Sequence, residues 1–165
     1  MVCAEGSQLI LATNLVATTA DAPSFAATVL GIKQTIGLPK TVLADTDFAS
    51  GAAVAALQAE EIEPLVAIGR TQPHRPYDFR PPPKAKTIRR ITEPWRVEMK
   101  AKLETEDGKN RYKQRKQTVE PVFGIIKSAI GFVRFHLRGL GNVATEWRLI
   151  ALAYNCRRLA RLQAA

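Results

Sequence analysis

The sequence predicts an α/β fold, and the pattern of the first 69 residues is the reason. Three short apolar runs, at residues 8–16, 41–44 and 64–68, have the length and composition of buried strands. The two stretches between them repeat apolar residues at helical spacing. Strands that alternate with helices over short connections are typical of a parallel sheet covered by helices.

Boundary residues support each of these elements. Asp21 is placed to cap a helix whose first turn holds Pro23, where the missing N–H costs nothing, and Gly37 is expected to end that helix. Ser50 is placed to cap the next helix, and Gly69 follows the third strand. Residues 1–69 therefore form the predicted strand and helix core.

Residues 70–94 have a different composition, in which prolines are interleaved with arginines and lysines. Such a stretch cannot form regular structure, so it predicts an extended basic insertion. A solvated linker and an arm that touches DNA are equally compatible with this composition.

Residues 95–165 are predicted to be mainly helical. Pro121 lacks a backbone donor, so it is expected in the first turn of a helix or at a kink. Trp147 and Tyr154 share one face of the last helix and are interpreted as core anchors. The expected helices are 95–103, one resuming near 111 after a break at 106–108, one from 118–120 to about 130, and 143–162.

The charge is distributed unevenly along the 165 residues. The net charge is +9. Residues 1–69 contain two basic and seven acidic residues, whereas residues 70–165 contain 22 basic and eight acidic residues. A basic second half indicates a polyanionic partner such as nucleic acid, because each neutralised phosphate releases counterions. A basic surface that only keeps the protein in solution is the alternative.

Other classes of protein are disfavoured. No apolar run approaches the roughly 20 residues that cross a bilayer, so a cytoplasmic protein is expected. Cys3 and Cys156 lie at opposite ends of the chain without metal-ligand spacing, which argues against a disulfide scaffold or a zinc ribbon.

The first candidate for chemistry is Asp45, which directly follows the apolar run 41–44. Open α/β sheets gather ligands at the carboxyl ends of their strands, so an acid there is a candidate metal ligand. Taken alone, Asp45 is better explained as a cap or turn residue, as Asp47 is.

A second candidate is Glu120, which lies among Arg115, Lys116 and Lys127. Glu120 and Lys127 are two helical turns apart and are predicted to share a face. This is the layout of a metal-binding acid beside phosphate-binding cations. The alternative is a solvated helix with an incidental ion pair.

The run from Tyr112 to Lys127 resembles the C-terminal signature of DDE-type transposases of bacterial insertion sequences, in which Tyr, Arg, Glu and Lys recur at fixed spacing. The interval from Tyr112 to Arg115 and that from Glu120 to Lys127 match the signature. The middle interval is one residue too long if Arg115 is the basic residue, whereas Lys116 stands at the expected distance, so both are candidates.

Other segments extend the resemblance. Residues 42–50 are similar to the strand that carries the family's second catalytic Asp, which assigns that role to Asp45. Residues 131–140, 146–147 and 153–155 are similar to the family's closing region.

The resemblance implies a ribonuclease-H-like α/β domain that carries out DNA transposition by metal-dependent strand cleavage and transfer. Asp45 and Glu120 would be the catalytic, metal-binding acids, and Mg²⁺ or Mn²⁺ would be the cofactor because both prefer oxygen ligands. DNA-binding residues would be Tyr112, which would orient the DNA end, and Arg115 or Lys116 with Lys127, which would hold phosphates.

No residue of the sequence matches the family's first Asp, because residues 5–10 resemble a strand beyond that point. Glu5 is interpreted as a turn residue and Asp21 as a cap. The chain is therefore expected to be a partial, N-terminally truncated catalytic domain with a core at 1–69, an insertion at 70–94 and a helical part with the Glu motif at 95–165. Such a chain is expected to be inactive alone.

The expected partners are the DNA of transposon ends and, in addition, a full-length transposase or a second copy of the chain. The alternative function is a non-catalytic remnant that binds DNA or a transposase. A ribonuclease-H-like nuclease of another kind, such as a junction resolvase, is disfavoured because the pattern from Tyr112 to Lys127 would then be coincidence.

Overall fold

A computed structural model of the protein describes residues 1–18, 21–69 and 92–164. The predicted insertion at 70–94 therefore lies outside the described residues except for its last three. In chain order the described elements are β1 (Val2–Cys3), β2 (Ile10–Ala12), α1 (Ala22–Leu30), α2 (Lys33–Ile36), β3 (Thr41–Ala44), α3 (Gly51–Ala59), β4 (Glu63–Val66), α4 (Pro94–Glu104), α5 (Glu106–Ser128) and α6 (Leu140–Gln163).

The predicted parallel pairing is confirmed for the second and third apolar runs. Strands β3 and β4 pair in parallel, with Thr41 opposite Glu63 and Ala44 opposite Val66. Helices α1, α3 and α4 cover this pair and share one hydrophobic core with it. The fold is therefore mixed α/β, as expected, and Asp45 follows the carboxyl end of β3.

The first apolar run behaves differently from the prediction. Only Ile10–Ala12 of residues 8–16 forms a strand, and it pairs antiparallel with β1 through a turn at residues 5–7. Glu5 thus lies in a turn, as expected, but the single sheet is wrong for the described residues, whose strands form two separate pairs. The reason is that Ile10 is buried in a second core against α5 and α6, away from β3 and β4.

The helix boundaries of the first half follow the predicted caps with two differences. Asp21 occupies the N-cap position of α1, but its side chain makes no capping bond because its backbone is helical rather than extended. Gly31 interrupts the predicted helix, which continues only as the short α2 before Gly37, at φ 80°, ends it. Ser50 caps α3 as predicted, with Oγ 3.5 Å from the N–H of Ala53.

Helix α5 corrects two predictions. The break lies at Thr105, whose Oγ accepts from the N–H of Gly108 at 3.0 Å, and one helix then runs through Pro121 to Ser128. A helix break at 106–108 and a helix start at 118–120 are therefore wrong. Pro121 cannot donate to the carbonyl of Gln117, and the side chain of Gln8 donates to that oxygen instead, at 2.8 Å.

The second core joins the two ends of the chain. Trp147 and Tyr154 of α6 are 9% and 1% exposed and pack with Val122 and Ile126 of α5, so the predicted core anchors are confirmed. The side chain of Asn155 accepts from the N–H of Ile10 at 2.9 Å and donates to its carbonyl at 2.8 Å. Helix α6 is thus bonded to β2 as a neighbouring strand would be.

Both cysteines are free thiols, and partial burial raises the pKa of Cys3 to about 11, whereas Cys156 is exposed. Within residues 1–18, 21–69 and 92–164, every helix is too short or too polar to cross a membrane.

Candidate catalytic acids and DNA-contacting face

Asp45 has two donors on its carboxylate. One oxygen accepts from the N–H of Thr46 at 2.8 Å and so caps the single 3₁₀ turn Thr46–Phe48. The other oxygen lies 3.4 Å from Nη1 of Arg115 on α5. The side chain remains 47% exposed. Asp45 therefore has the capping role that the sequence left open, and an ion pair in addition.

Arg115 and Tyr112 fasten α5 to the end of β3. The Tyr112 hydroxyl donates to the carbonyl of Ala44 at 3.1 Å, and burial raises the pKa of Tyr112, which keeps the phenol neutral. The Arg115 guanidinium lies 5.7 Å from the Tyr112 ring centre, and its side chain is only 19% exposed. Its Nε is buried and has no hydrogen-bond partner among the described residues. These two side chains therefore face the fold more than solvent.

Arg111, which the sequence did not single out, extends this contact. Its Nη2 lies 2.9 Å from the Glu63 carboxylate at the start of β4, and that hydrogen bond raises the pKa of the guanidinium. The interval of four residues from Arg111 to Arg115 places both on the same side of a helix. That spacing in the sequence could have indicated that Arg111 acts together with Arg115. It could not have identified Glu63 and Asp45 as their partners.

Glu120 lies on a different side of α5. It is five residues beyond Arg115, which is about 7.5 Å along the helix axis and about 140° around it. Glu120 is exposed, and in the part of the chain that the structure describes it makes no hydrogen bond or ion pair. The structure thus brings Asp45 together with Tyr112 and Arg115 and places Glu120 apart from them.

The exposed side of α5 carries most of the remaining predicted residues. Lys116 and Lys127 are exposed on the side that carries Glu120. Lys113 lies there too; its position seven residues before Glu120, two helical turns, was the signal that could have identified it. We call this surface the α5 outer face; its residues are Lys113, Lys116, Glu120, Gly124 and Lys127.

The loop between α5 and α6 presents further cations close to this surface. The Glu146 carboxylate accepts from the N–H groups of His136 and Leu137 at 3.0 to 3.1 Å and so fixes the loop. Arg134 and Arg138 of the same loop are exposed. Aromatic rings connect this loop to α5: the Trp147 ring meets the Phe135 ring edge-on and stacks on the Phe123 ring of α5, each at 6.2 Å between ring centres.

The catalytic role expected of Asp45 and Glu120 requires a pair of divalent ions. Such a pair needs several carboxylates, yet both oxygens of Asp45 already face donors and Glu120 lies on another side of α5. No three His, Cys, Asp or Glu side chains gather within residues 1–18, 21–69 and 92–164. In this arrangement the side chains do not fit a metal pair.

Comparison with known proteins gives one match. Residues 80–160 match the family model described as a transposase DDE domain, and this range contains the motif from Tyr112 to Lys127. No match was found among curated proteins or among solved structures. Domains of this family act in DNA transposition and generally use divalent metal ions. Through residues 80–160, just under half of its length, the chain is therefore similar to the DDE-type transposases.

Proposed function

We propose that this chain acts in DNA transposition as part of a DDE-type catalytic domain of ribonuclease-H-like fold, and that it binds DNA but does not cut it alone. The family match supports the transposition function. The parallel pair β3 and β4, with Asp45 at the carboxyl end of β3 and helices over the pair, supports the fold.

The position of the two acids carries the proposal that the chain is inactive alone. Asp45 is paired with Arg115, and Glu120 faces away on the α5 outer face. Two carboxylates that do not meet cannot share Mg²⁺ or Mn²⁺, because a single ion contacts its ligands at roughly 2 Å. Asp45 and Glu120 remain the proposed catalytic, metal-binding residues of an assembled domain, in which these two acids would have to be brought together with a third.

The basic second half carries the proposal that the chain binds DNA. Lys116 and Lys127 are exposed on the outer face and are the proposed phosphate contacts. Tyr112 and Arg115, which bond to the end of β3, are proposed to act by holding α5 in place more than by touching phosphates. The choice between Arg115 and Lys116 as the basic residue of the motif thus favours Lys116.

The DNA proposal is tested by the salt dependence of binding to a labelled DNA duplex. The double variant Lys116→Gln/Lys127→Gln should weaken binding and reduce the slope of log affinity against log salt by about two. The control is Lys33→Gln, which removes a cation of the acidic half that is paired with Glu60 at 2.6 Å. If the double variant and the control behave alike, the outer face is not the DNA surface.

The proposal of inactivity is tested with Mn²⁺ and labelled duplex DNA. We expect no nicking by the wild-type chain. Nicking that disappears in Asp45→Asn or Glu120→Gln would contradict the proposal and would assign catalysis to these acids. The alternative function, a non-catalytic partner of DNA or of a complete transposase, also predicts DNA binding and no nicking by the chain alone.

A further inference from the structure

Among the residues that the structure describes, no contact explains why position 124 is a glycine. A glycine inside a helix costs about 1 kcal/mol relative to alanine, so a helical glycine usually marks a close contact. Gly51 and Gly108 are explained in this way, because an added Cβ would collide with the Trp95 ring and with the carbonyl of Lys102. A Cβ added at Gly124, in contrast, would meet no atom of residues 1–18, 21–69 and 92–164 within 4 Å.

Gly124 forms a notch in the middle of the α5 outer face. Along the helix it follows Glu120 by four residues and precedes Lys127 by three, so both are its surface neighbours. Its carbonyl oxygen accepts a hydrogen bond from Ser128 Oγ at 2.7 Å, beyond the helix pattern. This bond reduces the negative charge that the carbonyl offers to an approaching anion.

The charges around the notch define where an anion can lie. Glu120 repels phosphates from the first part of the notch, whereas Lys127 attracts them to the second. Lys116 is one further turn away, on the far side of Glu120. Because Gly124 lies between Lys116 and Lys127 on this face, a DNA strand that contacts both lysines passes over the bare helix at Gly124.

We propose that Gly124 is a positioning residue that lets the DNA phosphodiester backbone approach the main chain of α5 beside Lys127. The inference rests on the proposed DNA binding and identifies where on the outer face the strand comes closest. A methyl group at this position would hold the strand away from the helix and weaken the contact with Lys127.

The test is Gly124→Ala in the full 165-residue chain, because stability and binding should change in opposite directions. Alanine is the better helix former, so Tm should rise by about 2 to 4 °C. Affinity for a labelled DNA duplex should fall about fivefold, as expected for a loss of about 1 kcal/mol. The matched control is Gly141→Ala in α6, where an added Cβ also meets nothing within 4 Å; its affinity for DNA should not change.

Three results would overturn the inference. Gly124→Ala could bind DNA as tightly as the wild type, or it could lower Tm, which would show that the glycine serves the fold. Gly141→Ala could weaken binding equally, which would show a general effect of the added methyl group. Binding of the wild-type chain to the duplex is measured before any variant is compared. If the wild-type chain does not bind at all, the proposed function itself is overturned.

Discussion

At the scale of single residues, Asp45, which is proposed as a catalytic acid, contributes to the fold through both of its carboxylate oxygens. Its carboxylate caps the turn that follows β3 and meets Arg115, which is itself stacked on Tyr112. The carboxyl end of β3 is therefore held by charge as well as by hydrogen bonds, and any metal chemistry at Asp45 requires that Arg115 give way.

Two substitutions separate these contributions. Asp45→Asn keeps an oxygen that accepts from Thr46, and the ion pair it loses is partly exposed, so unfolding free energy should fall by less than about 1 kcal/mol. Asp45→Ala also removes the cap and should cost about 1 kcal/mol more. Urea unfolding measures both.

Equal losses for the two variants would contradict this division and would make the ion pair with Arg115 the main contribution. The expected result also matters for the nicking assay, since it makes Asp45→Asn a folded variant in which activity can be compared.

At the scale of elements, α5 unites the molecule because it contributes to both cores. Tyr112 packs against the core around β3 and β4, while Val122 and Ile126 are buried in the core around α6. The helix stays continuous across Pro121 because Gln8 replaces the bond that proline cannot make to Gln117. The opposite side of the same helix remains free to present the lysines of the outer face.

This arrangement predicts coupling between Pro121 and Gln8. Pro121→Ala restores the helical donor to the Gln117 carbonyl and should raise the unfolding free energy by about 1 to 3 kcal/mol. Gln8→Ala should lower the unfolding free energy by about 1 kcal/mol in the wild-type chain, but by clearly less in the Pro121→Ala variant.

A double-mutant cycle in urea gives the coupling directly. Strictly additive effects would show that the bond from Gln8 does not compensate for the proline.

At the scale of the whole molecule, the two ends of the chain are fastened to each other. The hairpin of β1 and β2 is bonded to both long helices. Gln8 donates to the carbonyl of Gln117 on α5, and on α6 Asn155 donates to the carbonyl of Ile10 and Arg158 to that of Ser7. The acidic first half thus packs against the basic second half, and the cations of the outer face and of the loop before α6 stay exposed for a polyanion.

Asn155 is the test of this connection. Asn155→Ala removes the side chain that bonds to both the N–H and the carbonyl of the buried Ile10, so the unfolding free energy should fall by about 2 kcal/mol. Asn142→Ala on the same helix removes only one exposed bond, to the carbonyl of Arg138, and should cost well under 1 kcal/mol. Similar losses for the two variants would show that the hairpin is not held by Asn155.

Local patterns in the sequence predicted much of this correctly. The strands β3 and β4, the cap at Ser50, the helix end at Gly37 and the burial of Trp147 and Tyr154 follow from interactions between residues a few positions apart. The motif from Tyr112 to Lys127 identified the family for the same reason, since its spacing is fixed within one helix.

The sequence by itself therefore determined the mixed α/β character, the uneven charge and the kinship with DDE-type transposases. Only the tertiary structure decided that α5 continues through Pro121, that β2 pairs with β1 instead of β3, and that Arg115 faces Asp45 while Lys116 faces solvent. Each of these depends on a partner distant in sequence, such as Gln8 for Gln117 or Asp45 for Arg115. Periodicity and caps record a residue's preference for burial or for a turn, but not the distant group that satisfies it.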